Sequence, residues 1–189
     1  MGEEYYHTSA SVDEYIKLAK GVNGQELIGK LKQILPTKSN ILELGSGPGS
    51  DWEILSKDYD VTGSDNSKEF LLRLITKFPK GEFLALDAVT ITTDKKFDGI
   101  YSNKVLHHLT DDDLIASIQR QAELLKSEGI VCHSLWKGEG SEVFKGMFVN
   151  YHAQDKIKSF FAEYFDVLLL EDYKEFEDDD SILMIGRKK

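Results

Sequence analysis

The sequence is short of thiols, of basic charge and of long apolar runs. Its one cysteine, Cys132, excludes an intrachain disulfide. Cys132 falls in an apolar, strand-like run and reads as a small core residue. Lys and Arg number 23 against 33 Asp and Glu, a formal net charge of −10, and no dense basic run offsets it. A nucleic-acid partner needs a basic footprint for its phosphates, so none is expected. Arg187-Lys188-Lys189 reads as a solvated tail. No apolar stretch approaches the ~20 residues of a membrane span, so no membrane partner is expected. The first six residues are acidic and carry no secretory apolar region. Tyr6 stands where a myristoylation signal has Ser or Thr. The expected address is cytoplasmic.

What is present fits one domain. The chain has 189 residues, enough for a single sizeable core, and 41% of them are hydrophobic. There is no internal repeat and no low-complexity linker. Short apolar strands alternate with amphipathic helical stretches, the pattern of an α/β sheet with helices on both faces. Strands are expected to begin near Asn40, Val61, Glu82, Phe97, Ile130, Val167 and Ile182. The last two read as an antiparallel hairpin with Asp178, Asp179 and Asp180 in or beside its turn. Residues 12–35 read as one or two helices interrupted around Gly21 to Gly24. The strongest helix runs from about Asp111 to Lys126, where Leu114, Ile118, Ala122 and Leu125 make one stripe. Thr110 is its N-cap, and three aspartates fall in its first turn, where the helix dipole favours them. That run is read as capping, not as a metal cluster.

Gly45-Ser46-Gly47-Pro48-Gly49 directly follows the first strand and precedes a helical stretch. Glycines there allow a sharp turn and let a ligand approach the backbone, and the helix beyond offers unpaired amides. The loop is not a dinucleotide fingerprint. Counting from Gly45, the third glycine position holds Ser50, and the glycine falls one place early, at Gly49. It is not a Walker loop either, because Ser50-Asp51 stand where Lys is required. Glu43, two residues before the loop, adds a carboxylate that repels pyrophosphate and suits a cationic ligand.

Glu43-Leu44-Gly45-Ser46-Gly47-Pro48-Gly49 resembles the first motif of class I S-adenosylmethionine-dependent methyltransferases of the small-molecule type. Two acidic residues at later strand ends fit the same family. Asp65, followed by Asn66, lies twenty residues past Gly45, the spacing at which a carboxylate meets a ribose diol. Asp87, followed by Ala88, stands at the position that resembles the family's adenine-amino acceptor. Asn103 to Leu109 is similar to the stretch beside the transferable methyl group. The resemblance implies a Rossmann-like, doubly wound, seven-stranded sheet, mostly parallel with an antiparallel last strand. It implies S-adenosylmethionine as cofactor and Glu43, Gly45, Ser46, Gly47, Gly49, Asp65, Asn66, Asp87, Ala88 and Asn103 as its contacts. The chain then divides into an N-terminal helical cap (1–36), a cofactor-binding core (37–135) and a lid with the C-terminal strand pair (136–189).

Methyl transfer is a displacement at a sulfonium carbon, and positioning alone can supply ~7–11 kcal/mol of its barrier. A base is needed only where the nucleophile arrives protonated. His108, His107 and His133 are the candidates, all at or just past expected strand ends, with Asn103 as a positioning residue. The acceptor is expected to be a small O, N or S nucleophile. No Pro-Pro-aromatic run follows Asn103, as it would in relatives that methylate nucleic-acid amines. Trp136, Phe144, Met147, Phe148 and Tyr151 are expected near the mouth, with residues 138–151 as a lid. Tyr5, Tyr6 and Tyr15 are expected to close over the cofactor. No metal is expected, since no third ligand is spaced beside the two adjacent histidines. A cofactor sensor or interaction module without turnover, and a nicotinamide-dependent oxidoreductase, are the rival readings.

Overall fold

A computed structural model describes residues 8–189. Tyr5 and Tyr6 lie outside the described residues. The chain begins with α1 (Ser9–Leu18) and α2 (Gln25–Leu31). It continues through β1 (Asn40–Leu44), α3 (Ser50–Leu55), β2 (Asp60–Asp65), α4 (Lys68–Lys77) and β3 (Glu82–Ala85). Then come β4 (Phe97–Asn103), a 3-10 turn (Leu106–His108), α5 (Asp111–Leu124) and β5 (Leu125–Trp136). β6 (Ser141–Phe144), β7 (Met147–Asn150), α6 (Gln154–Phe161), β8 (Phe165–Tyr173) and β9 (Ser181–Lys188) complete it.

Seven strands form one sheet in the order β3-β2-β1-β4-β5-β9-β8. β3, β2, β1, β4 and β5 pair in parallel, and β9 runs antiparallel to both β5 and β8. Both faces are covered, so the central strands are buried along most of their length rather than on alternate residues. Leu42, Ile100, Val131 and Met184 pack on one face against α5 and α6. Their neighbours Ile41, Tyr101, Cys132 and Ile185 pack on the other face against α2. Strand periodicity of two sorts the same run into two cores. The chain leaves β1 toward β2 and β3, then returns to β4 on the other side. That reversal opens a crevice beyond the carboxyl ends of β1 and β4, where open α/β sheets bind ligands.

Local signals set most boundaries. The Thr110 hydroxyl accepts from Asp113 N (3.2 Å) and so caps α5, and it donates to Asp113 Oδ2 (2.7 Å) where a capping box would use the backbone N–H. Asp180 accepts backbone N–H bonds from Glu175, Phe176 and Glu177, each at 2.9 Å, and these hold its carboxyl down at about 2. The aspartate run before β9 is thus a turn. α5 stops at Leu124 rather than Lys126, because Leu125 is already extended (φ −74°, ψ 141°) and pairs with Phe97 in the core.

Residues 138–151 contain strands that periodicity does not announce. β6 and β7 form a hairpin whose two-residue turn, Lys145-Gly146, has both φ values positive (51° and 83°). This is the turn hand that follows strand twist, but Lys rather than Asn or Asp occupies its first place.

Candidate functional site

The crevice holds a cavity of about 530 Å³, within the usual range of ~300–1,000 Å³ for small-molecule sites. Its wall follows the sheet edge: Asp87 and Ala88 after β3, Asp65 and Asn66 at the end of β2, Gly45 and Gly47 after β1, Asn103 at the end of β4. His108, Phe148 and Val143 contribute from the 3-10 turn and the hairpin, and Tyr15 from α1.

The three loop glycines do different work, and all have positive φ: 66° at Gly45, 48° at Gly47, 80° at Gly49. A Cβ on Gly45 would fall 2.5 Å from the Val105 side chain, and one on Gly49 would fall 2.7 Å from Leu74 and Phe78. Those two glycines permit close packing. A Cβ on Gly47 would meet nothing and would point into open space beside the cavity. Gly47 N donates to Asp65 Oδ2 (2.9 Å), and Ser67 N donates to Asp65 Oδ1 (2.9 Å). Asp65 therefore ties the glycine loop to the turn after β2 while facing the cavity.

Glu43, Ser46 and Gly49, expected as cofactor contacts, lie behind the cavity wall. Glu43 is 2% exposed and lies beneath the loop, accepting from the Ser46 hydroxyl. Burial, with Asp51 and Asp65 nearby, pushes its carboxyl up to about 8. Ser46 N donates to Ser64 O (2.7 Å), and Ser46 Oγ accepts from Ser64 N (3.2 Å), so loop and β2 are locked together. These residues shape the cradle and do not form its surface. Asp87 Oδ1 caps the turn after β3, accepting from Val89 N (3.0 Å) and Thr90 N (2.9 Å). Ala88 O is held by Ser117 Oγ (2.6 Å).

Asp51 was not singled out by the sequence, yet it is the polar hub behind the loop. It sits in the first turn of α3 and accepts from Gly24 N (2.6 Å), Tyr101 Oη (2.7 Å) and Asn103 Nδ2 (3.0 Å). The signal was present in outline: Tyr101 and Asn103 are two apart on β4 and so share a face. Asn103 Oδ1 accepts from Ser134 Oγ, which fixes its amide at the cavity wall.

Of the three histidines, only His108 lines the cavity. Its Nδ1 lies 2.7 Å from Phe148 O. A carbonyl only accepts, so Nδ1 carries the hydrogen and Nε2 the lone pair. Burial lowers its pKa, which keeps the ring neutral. His107 is buried at 3% exposure, and its ring lies 4.0 Å from that of His108 and 6.2 Å from Trp136. Burial pushes its pKa well below the ordinary value. His133 is fully buried between Ser102 Oγ (2.8 Å) and Gln121 Oε1 (2.8 Å), and burial takes its pKa to about 3. Its position on β5 turns it into the α5 face of the core. Neither His107 nor His133 is placed to act on a cavity ligand.

Four lid-region expectations are also corrected. Trp136 stacks on Phe176 (5.9 Å, 26°) rather than walling the cavity. Phe144 is 53% exposed on the outer side of the hairpin, and Tyr151 donates its hydroxyl to Glu142 (2.6 Å). Met147 also lies off the wall, which Phe148 and Val143 occupy instead. Among the described residues, no cluster of three or more His, Cys, Asp or Glu is arranged to hold a metal ion. No described helix is long and apolar enough to cross a membrane.

Residues 41–129 match the family model described as a methyltransferase domain. The chain is 31% identical over 93 residues to the trans-aconitate 2-methyltransferase of Variovorax paradoxus, covering 47% of this chain and 35% of that one. It is 29% identical over 139 residues to an uncharacterised methyltransferase of Bacillus cereus, covering 67% and 61%. The chain thus spans well under two thirds of the Variovorax relative's length. Its fold is that of the Burkholderia thailandensis 1,6-didemethyltoxoflavin-N1-methyltransferase, solved with its substrate and S-adenosylhomocysteine. The TM-score is 0.80 at 17% identity, over 95% of this chain and 84% of that one. Residues 41–129, which carry this glycine loop and the core of this sheet, match a methyltransferase domain, and the chain shares its fold with a methyltransferase solved with S-adenosylhomocysteine.

Proposed function

We propose that this protein transfers a methyl group from S-adenosylmethionine to a small-molecule O, N or S nucleophile. One observation carries the reading. A single cavity joins the glycine loop, Asp65 and Asp87 to His108 and the β6–β7 hairpin. Cofactor and acceptor positions therefore share one space.

The wall fits the cofactor's chemistry. Gly47 leaves its backbone bare toward the cavity, so a ligand can pass close to it. Asp65 and Asp87 are acceptors suited to ribose hydroxyls and an adenine amino group, with Asn66 and Ala88 beside them. Asn103 presents its fixed amide nearby. The third glycine, displaced to Gly49, argues against the nicotinamide reading. Glu43, Ser46 and Asp51 hold these groups from behind. When bound, S-adenosylmethionine supplies an electrophilic methyl group on a sulfonium. His108 Nε2 accepts the proton that an O–H, N–H or S–H acceptor must lose, and Nδ1–H stays on Phe148 O. The relatives' names, both methyltransferases, agree with this assignment.

The test is transfer of labelled methyl from S-adenosylmethionine into a fractionated pool of small metabolites. Label should appear in small-molecule fractions and not in added nucleic acid. Tight cofactor binding with no transfer to any fraction would instead favour a sensor.

A further inference from the structure

Among the described residues, the cavity wall offers an acceptor no uncommitted Lys or Arg. The charged side chains on its wall are Asp65, Asp87, Asp113 and Lys104. Lys104 is committed elsewhere. Its Nζ donates to Leu135 O (3.1 Å) and Ser181 Oγ (2.6 Å) and lies 3.7 Å from the centre of the Trp136 ring. His108 is held neutral by burial. The rest of the wall is largely apolar, with Tyr15, Phe70, Val105, Leu109, Val143 and Phe148.

We infer that the acceptor is a neutral or cationic small molecule with an apolar or aromatic face, and that carboxylate-bearing acceptors are excluded. This rests on the proposed methyl transfer and narrows it. A carboxylate entering the cavity would lose water without gaining a partner cation from the described wall. Asp113 on the same wall adds a like charge, one way a site rejects wrong partners. The chain's net charge of −10 adds a repelling field outside. The site therefore differs from what the Variovorax relative's name describes, since trans-aconitate is a tricarboxylate.

The chemistry balances with such an acceptor. A lone pair on its heteroatom forms the new bond to the methyl carbon as the carbon–sulfur bond breaks. The sulfur keeps that bonding pair and changes from sulfonium to neutral thioether. A proton on the heteroatom passes to His108 Nε2 and then to solvent. A tertiary amine has no such proton and leaves as a cation, which the acidic wall tolerates.

The experiment uses the full chain in two steps. Calorimetry first measures S-adenosylhomocysteine binding. If it does not bind, the methyl-transfer reading fails, and this inference with it. The saturated protein is then titrated with benzylamine, benzyl alcohol and benzoate, which share one ring and differ in charge. The amine and the alcohol should bind at least about tenfold more tightly than benzoate, and trans-aconitate should yield no methylated product. Val143→Arg, which adds a cation to the exposed hairpin wall, should narrow the gap between benzoate and benzylamine. Benzoate binding as tightly as the other two, methylation of trans-aconitate, or no saturable binding of any ring compound would overturn the inference while leaving the cofactor assignment intact.

Discussion

At the scale of single residues, the site depends on carboxyl groups in unequal environments. Glu43 is buried under the loop, and its carboxyl is raised to about 8. The folded protein therefore binds this proton more tightly than the unfolded chain, whose glutamate titrates near ~4.3. The stability it contributes is complete below that value and is lost as pH rises through about 8. In the absence of ligand, Glu43→Gln should have a higher thermal midpoint than wild type at pH ~8 and a similar one at pH ~5. Melting curves that stay parallel across that range would contradict the assignment. The histidines separate in the same way. His108→Ala should lower turnover by ~10²–10⁴-fold on an acceptor that carries a proton, with little change in cofactor affinity. His133→Ala removes the partner of both Ser102 and Gln121. It should cost ~2–4 kcal/mol of stability while the folded fraction keeps its affinity. A His133 variant that is stable but inactive would reverse the roles given to these two residues.

At the scale of elements, the β6–β7 hairpin is the piece that completes the acceptor side. Residues 141–146 are exposed, whereas Phe148 turns inward to the cavity and its carbonyl holds His108. Replacing residues 140–150 with a short glycine linker should leave S-adenosylmethionine affinity within about threefold and reduce acceptor turnover at least about tenfold. Equal turnover by the shortened protein, measured on the same acceptor, would remove the hairpin from the site.

This element also marks where sequence legibility ends. The Gly45–Gly49 loop, Asp65 and Asp87 were readable because each combines a local turn or strand end with a fixed spacing. The Thr110 cap and the Asp180 turn were readable for the same reason. The hairpin was not, because its turn begins with Lys145 and its strands are only four residues each. Asp51 was not, because its partners Gly24, Tyr101 and Asn103 come from distant parts of the chain. His133 stands near the ligand edge in the sequence, but strand alternation sends its side chain into the core.

At the scale of the whole molecule, one sheet running from Asn40 to Lys188 brings four strand ends to a single edge. The strand reversal between β1 and β4 places the glycine loop between the acidic residues of β2 and β3 and the Asn103–His108 stretch of β4. The acidic wall and the bare Gly47 backbone suit a ligand with ribose hydroxyls and amino groups that passes close to the loop. The most direct test is side-by-side calorimetry of S-adenosylmethionine and NAD against wild type, Asp65→Ala and Gly47→Val. Wild type should bind S-adenosylmethionine saturably and NAD not at all. Each charge-assisted bond to Asp65 is worth ~1.5–3 kcal/mol, so Asp65→Ala should weaken the cofactor at least about tenfold. Gly47→Val should abolish binding in a folded protein. Near-wild-type affinity in both variants, or tighter binding of NAD than of S-adenosylmethionine, would contradict the assignment of this cavity.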